Sequence, residues 1–267
     1  MERTDIITLA GRFIEESPNN LISEELALNP RCVDLKIFEA PIFAVGSPDD
    51  GLFKRLKDPD VIGGHVISPD EWLPGAKTVI SFFLPFTSEI KKANTKDSQW
   101  PADEWLHGRY EGQQLLSMLL DYLVDTISDA GFETLAPAMD QRFRSGAGEN
   151  KYTSNWSERH VAYICGLGTF GLSKGVITKR GISGRFGSIL TELDLPKDSR
   201  DYSDIHGYCN MCGSCIARCP ALAISFKNGK KSPLCLDFLQ KVEAKHSPRY
   251  GCGKCQTSVP CESGAPR

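Results

Sequence analysis

Eight cysteines crowded into residues 209–267 limit what the end of this chain can build. Four of them form the run Cys209-x2-Cys212-x2-Cys215-x3-Cys219-Pro220. Three thiolates spaced two residues apart wrap three corners of one cubane. The fourth, followed by proline, points away and in two-cluster proteins serves the other cluster. Cys235, Cys252, Cys255 and Cys261 bring the total to eight thiols, enough for two 4Fe–4S clusters. The crossover rule gives Cys209, Cys212 and Cys215 their fourth ligand from the second set, at Cys261. Cys219 then joins Cys235, Cys252 and Cys255. Zinc also takes Cys-x2-Cys pairs, but it does not need a threefold repeat ending in Cys-Pro. The pattern points to iron–sulfur clusters and electron transfer.

The other two cysteines, Cys32 and Cys165, fall outside this spacing and read as plain core or surface thiols. Eight of the ten cysteines in ligand spacing, not disulfide spacing, imply a reducing compartment, so the expected location is the cytoplasm. The N-terminal segment is polar and amphipathic, without the apolar core of a signal peptide. No stretch reaches the length of a membrane span. A formal net charge of −3 advertises no polyanion-binding surface, so no nucleic-acid partner is expected.

Ahead of the cysteines, Thr4–Ser17 has helical apolar spacing, and Leu115, Leu119, Leu123 and Ile127 mark one face of a long helix stopped at Gly131. The apolar run Thr78–Phe83 reads as a buried, central strand. Further strands are expected over Thr134–Ala138 and Gly181–Leu193. The stretch around Asn29-Pro30, Ala40-Pro41 and Ser47-Pro48 is too punctuated for long elements, and Ser145–Ser154 reads as a loop. A short helix, Trp156–Ile164, leads into the turn Gly166-Leu167-Gly168-Thr169-Phe170-Gly171. These glycines fit G-x-G-x-x-G, but a helix precedes them where a dinucleotide site needs a strand, and no acid stands clearly about 20 residues on. Close approach of the backbone to another large planar cofactor is the better use of them, beside the plain alternative of a tight turn. The expected class is α/β (α+β), with residues 1–200 as the substrate and cofactor domain. Pro196–Asp204 is the linker and residues 201–267 are the cluster domain.

Several segments together resemble the epoxyqueuosine reductase family, cobalamin-dependent iron–sulfur enzymes related to reductive dehalogenases. They are Trp72–Ser81, Trp105-Leu106-His107-Gly108-Arg109-Tyr110, Glu158-Arg159 with the glycine turn after it, and the cysteine module Cys209–Cys261. The resemblance implies a nitroreductase-like N-terminal domain and a C-terminal two-cluster ferredoxin-like module. A corrinoid is expected between them with its lower base detached. It supports the crossover assignment and makes His107, Arg109, Gly166, Gly168 and Gly171 candidates for contact with the corrinoid or substrate; the equal alternative for His107 and Arg109 is that they serve the start of the long helix.

Three departures from the family pattern matter. The second cysteine motif of the family closes Cys-x2-Cys-x3-Cys-Pro, whereas here Val259-Pro260 precedes Cys261, so a remodelled turn must deliver that ligand. The chain stops at Arg267, without the C-terminal extension that in longer relatives is expected to help hold tRNA. The catalytic aspartate of the family lies 14 residues before the first glycine of the turn, which here is Tyr152. A phenol with an ordinary pKa near 10 suits proton donation better than basicity, with Arg142, Arg144, Lys151 or Arg159 as neighbouring cations. The alternative is that Tyr152 caps a loop or stacks on cofactor. The expected function is an oxidoreductase that takes electrons from a flavodoxin- or ferredoxin-like donor through two clusters to a corrinoid and on to a small-molecule substrate. Two alternatives stay open: a non-catalytic electron carrier or cobalamin-handling protein, and a flavin-dependent reductase.

Overall fold

Strand β2 (Thr78–Pro85) is buried at every one of its eight positions. A strand covered on both faces reads as a continuous apolar run, not an alternating one, and this is why it stands out in the sequence. The computed structural model describes residues 1–146 and 152–266. In it, β2 pairs antiparallel with β1 (Ile42–Gly46) on one side and β6 (Gly184–Thr191) on the other, with β3 (Thr134–Leu135) at the far edge of β6. The register is set by pairs such as Val45↔Ile80 and Ile80↔Ile189.

Alternation along the strands divides the core. Ile80, Phe82, Leu84 and Ile189 face helices α1 (Arg3–Glu16) and α5 (Asp103–Asp129), whose Ile6, Ala10, Leu115, Leu119 and Leu123 complete one cluster. Val79, Phe83 and Leu190 face the other way, onto α6 (Glu158–Cys165), Trp156 and the short helices α2 (Gly51–Arg55) and α3 (Pro69–Trp72). Helices therefore cover both faces of the antiparallel sheet in a mixed α/β arrangement. Strand β1 sits in the stretch read as loop, because five residues between Pro41 and Pro48 carry too little pattern to register. Cys32 and Cys165 are both buried core thiols.

The glycine turn is not the start of a helix. Gly166 caps α6 in the left-handed region at φ +101°, and Gly168 opens strand β4 (Gly168–Phe170), which forms a hairpin with β5 (Val176–Thr178). A Cβ on Gly168 would stand 2.0 Å from the Ile177 carbonyl oxygen. Gly168→Ala is therefore expected to lower stability by about 3 kcal/mol, read from the denaturation midpoint. An unchanged midpoint would mean that the hairpin is looser than this.

Past residue 200 regular structure thins to α7 (Ser214–Ala217), the small hairpin of β7 (Ile224–Ser225) and β8 (Gly229–Lys230), and α8 (Ser232–His246). This segment is fastened to the sheet region by backbone bonds from Ile182 N to Cys261 O (2.9 Å) and from Ser183 N to Glu262 O (3.4 Å). It is also held to α4 (Ser88–Ala93) through Asn94 and Lys254. No helix is long and apolar enough to cross a membrane among the described residues.

Candidate functional site

The eight thiols of residues 209–261 fall into two groups of four in space. A small pocket between the β4–β5 hairpin and the first cysteine loop is bordered by Cys209, Cys212, Cys215 and Cys261. A larger cavity beside it is bordered by Cys219, Cys235, Cys252 and Cys255. The electrostatic neighbourhoods divide the same way. Cys261 feels Cys209, Cys215 and Cys212, while Cys255 feels Cys235 and Cys219. Cys215 also feels Cys255, so the two groups are adjacent.

Local sequence explains how short loops turn so many thiols inward. Met211, Gly213, Leu222, Gly251, Gly253 and Ser258 all take positive φ. Residues of this conformation make successive N–H groups converge into anion-binding concavities of the kind that cradle iron–sulfur clusters. The Ala223 N–H already donates to Cys219 Sγ at 3.3 Å. The Val259-Pro260 departure becomes a turn in which Ser258 N donates to Glu262 Oε2 (2.6 Å) and Glu262 N to Val259 O (2.9 Å), delivering Cys261 to the first pocket. Burial pushes the Cys215 thiol up to about 11 and Cys252 and Cys261 up to about 12, so a thiolate there requires metal charge beside it. Among the described residues no three His, Cys, Asp or Glu side chains converge as a single-ion site needs. A cubane spreads its four sulfurs around a larger body, and four thiols bordering one pocket suit it better than they suit zinc.

The larger cavity, about 580 Å³, lies between the end of the sheet, α5 and the second cysteine loop. Leu116, Leu120, Phe186 and Phe238 give it apolar walls, and Arg109, Arg159, Arg185 and Lys230 bring positive charge. Glycines let its parts close up: a Cβ on Gly253 would stand 2.0 Å from the Trp105 ring, and one on Gly251 2.7 Å from Arg109 Cγ. Two lining residues carry buried N–H groups with no hydrogen-bond partner: Trp105 Nε1 and Arg185 Nε. Buried polar groups are normally paired, so orphans in a cavity wall mark places where a ligand's polar edge belongs. An apolar cleft of this size, rimmed by donors and next to the thiols, fits a large planar group with carbonyl-bearing side chains.

The candidates from the sequence are not all here. Arg109 lines the cavity, with its guanidinium 5.2 Å from the Tyr250 ring centroid. His107 does not, because it is fully buried one helical turn before Glu111, where Nδ1 meets Glu111 Oε2 at 3.1 Å and Nε2 accepts from Leu28 N at 3.1 Å. Gly166 and Gly168 lie away from the cavity, and Gly171 borders only the small pocket. Tyr152, 42% exposed, borders a neighbouring cavity of about 490 Å³ that shares Arg159, Lys230 and Cys235 with the large one. Of the cations named beside it, Arg159 reaches that cavity, Arg142 pairs with Asp140, and Arg144 bonds backbone carbonyls; Lys151 lies outside the described residues. Glu158 was invisible to sequence reasoning as a site residue. An acid in the first turn of a helix looks like an ordinary dipole partner, and only the tertiary structure shows its carboxyl oxygens buried.

No family model matches the chain. It is similar to the epoxyqueuosine reductase of Bacillus cereus, 26% identical over 83% of this chain and 60% of that protein. The chain thus spans about 60% of the length of this curated relative. Among solved structures it superposes on a selenomethionine-labelled epoxyqueuosine reductase with TM-score 0.55 (20% identity, 86% of this chain, 63% of that one). It superposes on an epoxyqueuosine reductase solved with a tRNA stem loop with TM-score 0.52 (19% identity, 98% and 67%). A reductive dehalogenase gives TM-score 0.51 (13% identity, 82% and 29%). These likenesses establish the shared fold.

Proposed function

We propose that this chain, similar in sequence to epoxyqueuosine reductases and in fold to them and to reductive dehalogenases, is an iron–sulfur oxidoreductase built around the large cavity. Cys209, Cys212, Cys215 and Cys261 hold one 4Fe–4S cluster, and Cys219, Cys235, Cys252 and Cys255 hold the other. A flavodoxin- or ferredoxin-like protein supplies electrons. The cavity takes a corrinoid, which when bound supplies a strongly reducing metal centre for an electrophilic small-molecule substrate. The observation that carries this reading is the division of eight thiols between two adjoining pockets, one of them opening onto a cleft large enough for the reaction.

The chain's own residues have definable parts in this scheme. The Ala223 N–H draws charge from Cys219 Sγ, a contact of the kind that sets cluster potential. Leu116, Leu120, Phe186 and Phe238 exclude water from the cavity, which strengthens every charge interaction inside it. Trp105 Nε1 and Arg185 Nε offer their unused N–H groups to carbonyls at the edge of the bound group. Lys254, between the two cysteines of the second loop, is fully buried. It gives its three N–H bonds to Asn94 O (2.8 Å), Asn94 Oδ1 (3.1 Å) and Asp97 O (2.8 Å), anchoring that loop. Tyr152, at the outer cavity, is placed to meet whatever part of a ligand extends beyond the inner one.

Anaerobic purification followed by iron and sulfide quantitation, with absorption spectra before and after hydroxocobalamin, tests the reading. About eight irons per chain are expected, with a base-off corrinoid spectrum on loading. Eight irons with no corrinoid taken up would leave an electron carrier or a flavin enzyme on the same scaffold.

A further inference from the structure

The outer cavity of about 490 Å³ is walled by charges of one sign. Arg159, Lys174 and Lys230 border it, and no Asp or Glu lines it among the described residues. This happens in a chain whose 34 acids outnumber its 31 lysines and arginines. Among the described residues the three cations have no carboxylate partner. Their side chains make one hydrogen bond, from Arg159 Nη1 to the Lys174 carbonyl oxygen at 2.7 Å. His160 also borders the cavity but adds no charge at pH 7. Burial, and then Arg159, push it down to about 4, and its Nδ1 meets Ser157 Oγ at 2.8 Å.

Two of the cations have another duty, since Arg159 acts on the Cys235 thiol and Lys230 on that of Cys255. Lys174 has none. It stands exposed in the turn of the β4–β5 hairpin, at φ +60°, a left-handed conformation that a side-chain-bearing residue adopts at a cost. The hairpin would close with less strain on a glycine, so its own folding does not call for a lysine there. The remainder of the wall offers serine hydroxyls, as at Ser157 and Ser232, and an apolar side from Ile62 and Leu236. Arg159, Lys230, Cys235 and Leu239 border the inner cavity as well, so the two spaces adjoin at these side chains.

We propose that the outer cavity is an anion subsite, which holds the carboxylate or phosphate of a small, otherwise apolar substrate whose far end reaches the inner cavity. The anion site stands on the outer cavity alone. Its service to a substrate rests on the inner cavity being the reaction chamber proposed above. An oxyanion suits this wall because guanidinium and ammonium groups give it charge-assisted hydrogen bonds, to which the serine hydroxyls add neutral ones. Three like charges around one space also repel each other, and a negative group between them turns that repulsion into attraction. A neutral substrate would leave all three cations uncompensated. The apolar side chains of the wall give the body of the ligand its place, beside the anion and not around it.

The test uses the full chain with both clusters reconstituted and no corrinoid added. Calorimetric titrations with phenyl phosphate, benzoate and neutral benzamide compare wild type with Lys174→Gln and Lys230→Gln. Wild type should bind the two anions and not benzamide, and each variant should bind the anions at least about 10-fold more weakly, having lost a hydrogen bond to a charged group. K174Q keeps the result readable, because Arg159 bonds the backbone carbonyl of Lys174, which the substitution leaves in place. The anion that binds more tightly tells phosphate from carboxylate. Benzamide bound as tightly as benzoate, or K174Q binding both anions as wild type does, overturns the site. So does affinity for an RNA stem loop with none for the small anions. Hydroxocobalamin is added last. Anions bound as expected by a wild type that takes up no corrinoid would uphold the anion site and overturn the reading of the chamber, and the substrate role with it.

Discussion

Cys261→Ala is expected to cut the iron content from about eight atoms per chain to about four and to abolish one of two paramagnetic signals, leaving the other unchanged. The residue stands apart in sequence from the three thiols it is grouped with, yet it shares a pocket with Cys209, Cys212 and Cys215, and their charges act on it. Its backbone is held independently of any metal by the bond from Ile182 N to Cys261 O, so the variant should keep its fold around the damaged site. Cys219→Ala makes the reciprocal case. Although it belongs to the first cysteine run, its loss should remove the cluster of Cys235, Cys252 and Cys255 and spare the one beside Cys261. A pair of single variants that each lose the opposite cluster cannot be produced by two zinc knuckles read in sequence order. Eight irons and two intact signals in C261A would sink the assignment.

How much of this was legible beforehand differs between kinds of residue. Ligand spacing is local, so the cysteine run could be read directly, and the crossover rule grouped Cys261 with Cys209, Cys212 and Cys215, the thiols with which it borders one pocket. Strand β2 and helix α5 were also plain, because a fully covered strand and a long one-sided helix write their burial into the apolar pattern. Functional polar residues carry no such record. His107 and Arg109 are two positions apart on α5, hence on different faces, and only packing decides that one enters the core while the other reaches the cavity. The spacing of His107 and Glu111, four apart on one helix, was the available hint that the histidine had a structural partner. The glycines of the turn served a cap and a hairpin, needs that a G-x-G-x-x-G pattern cannot distinguish from ligand contact. Glu158 entered the sequence reading only within the Glu158-Arg159 segment and not as a site residue, since its burial depends on β6 and α6 meeting in three dimensions.

The core pair that His107 revealed should matter more to stability than any other ion pair of the described residues. Glu111→Ala is expected to cost about 3–5 kcal/mol, because it strands a buried cation. Arg249 donates from Nη2 to Glu111 Oε1 at 2.5 Å and from Nε to Oε2 at 3.3 Å, with side-chain exposures of only 12% and 6%. The same Arg249 donates to Leu26 O, so the pair ties α5 both to the N-terminal loops and to the segment leading into Cys252. With Leu28 N donating to Nε2, the His107 proton sits on Nδ1 and faces Glu111, which makes the imidazole neutral and fully used. Burial alone would raise the Glu111 carboxyl, but the bonds from His107 and Arg249 outweigh it and hold the group below its ordinary 4.5. The sign of the pH effect follows. The unfolded chain takes up the proton first, so the stability Glu111 contributes is complete above the ordinary carboxylate range and is lost as pH falls from about 4.5 through the depressed folded value. Urea midpoints at pH 7 and at pH 4 would separate this from general acid weakening. Wild type should lose stability between the two by more than Glu111→Gln does, because the amide has no charge to surrender; equal losses would mean that the carboxylate contributes nothing to the acid limb.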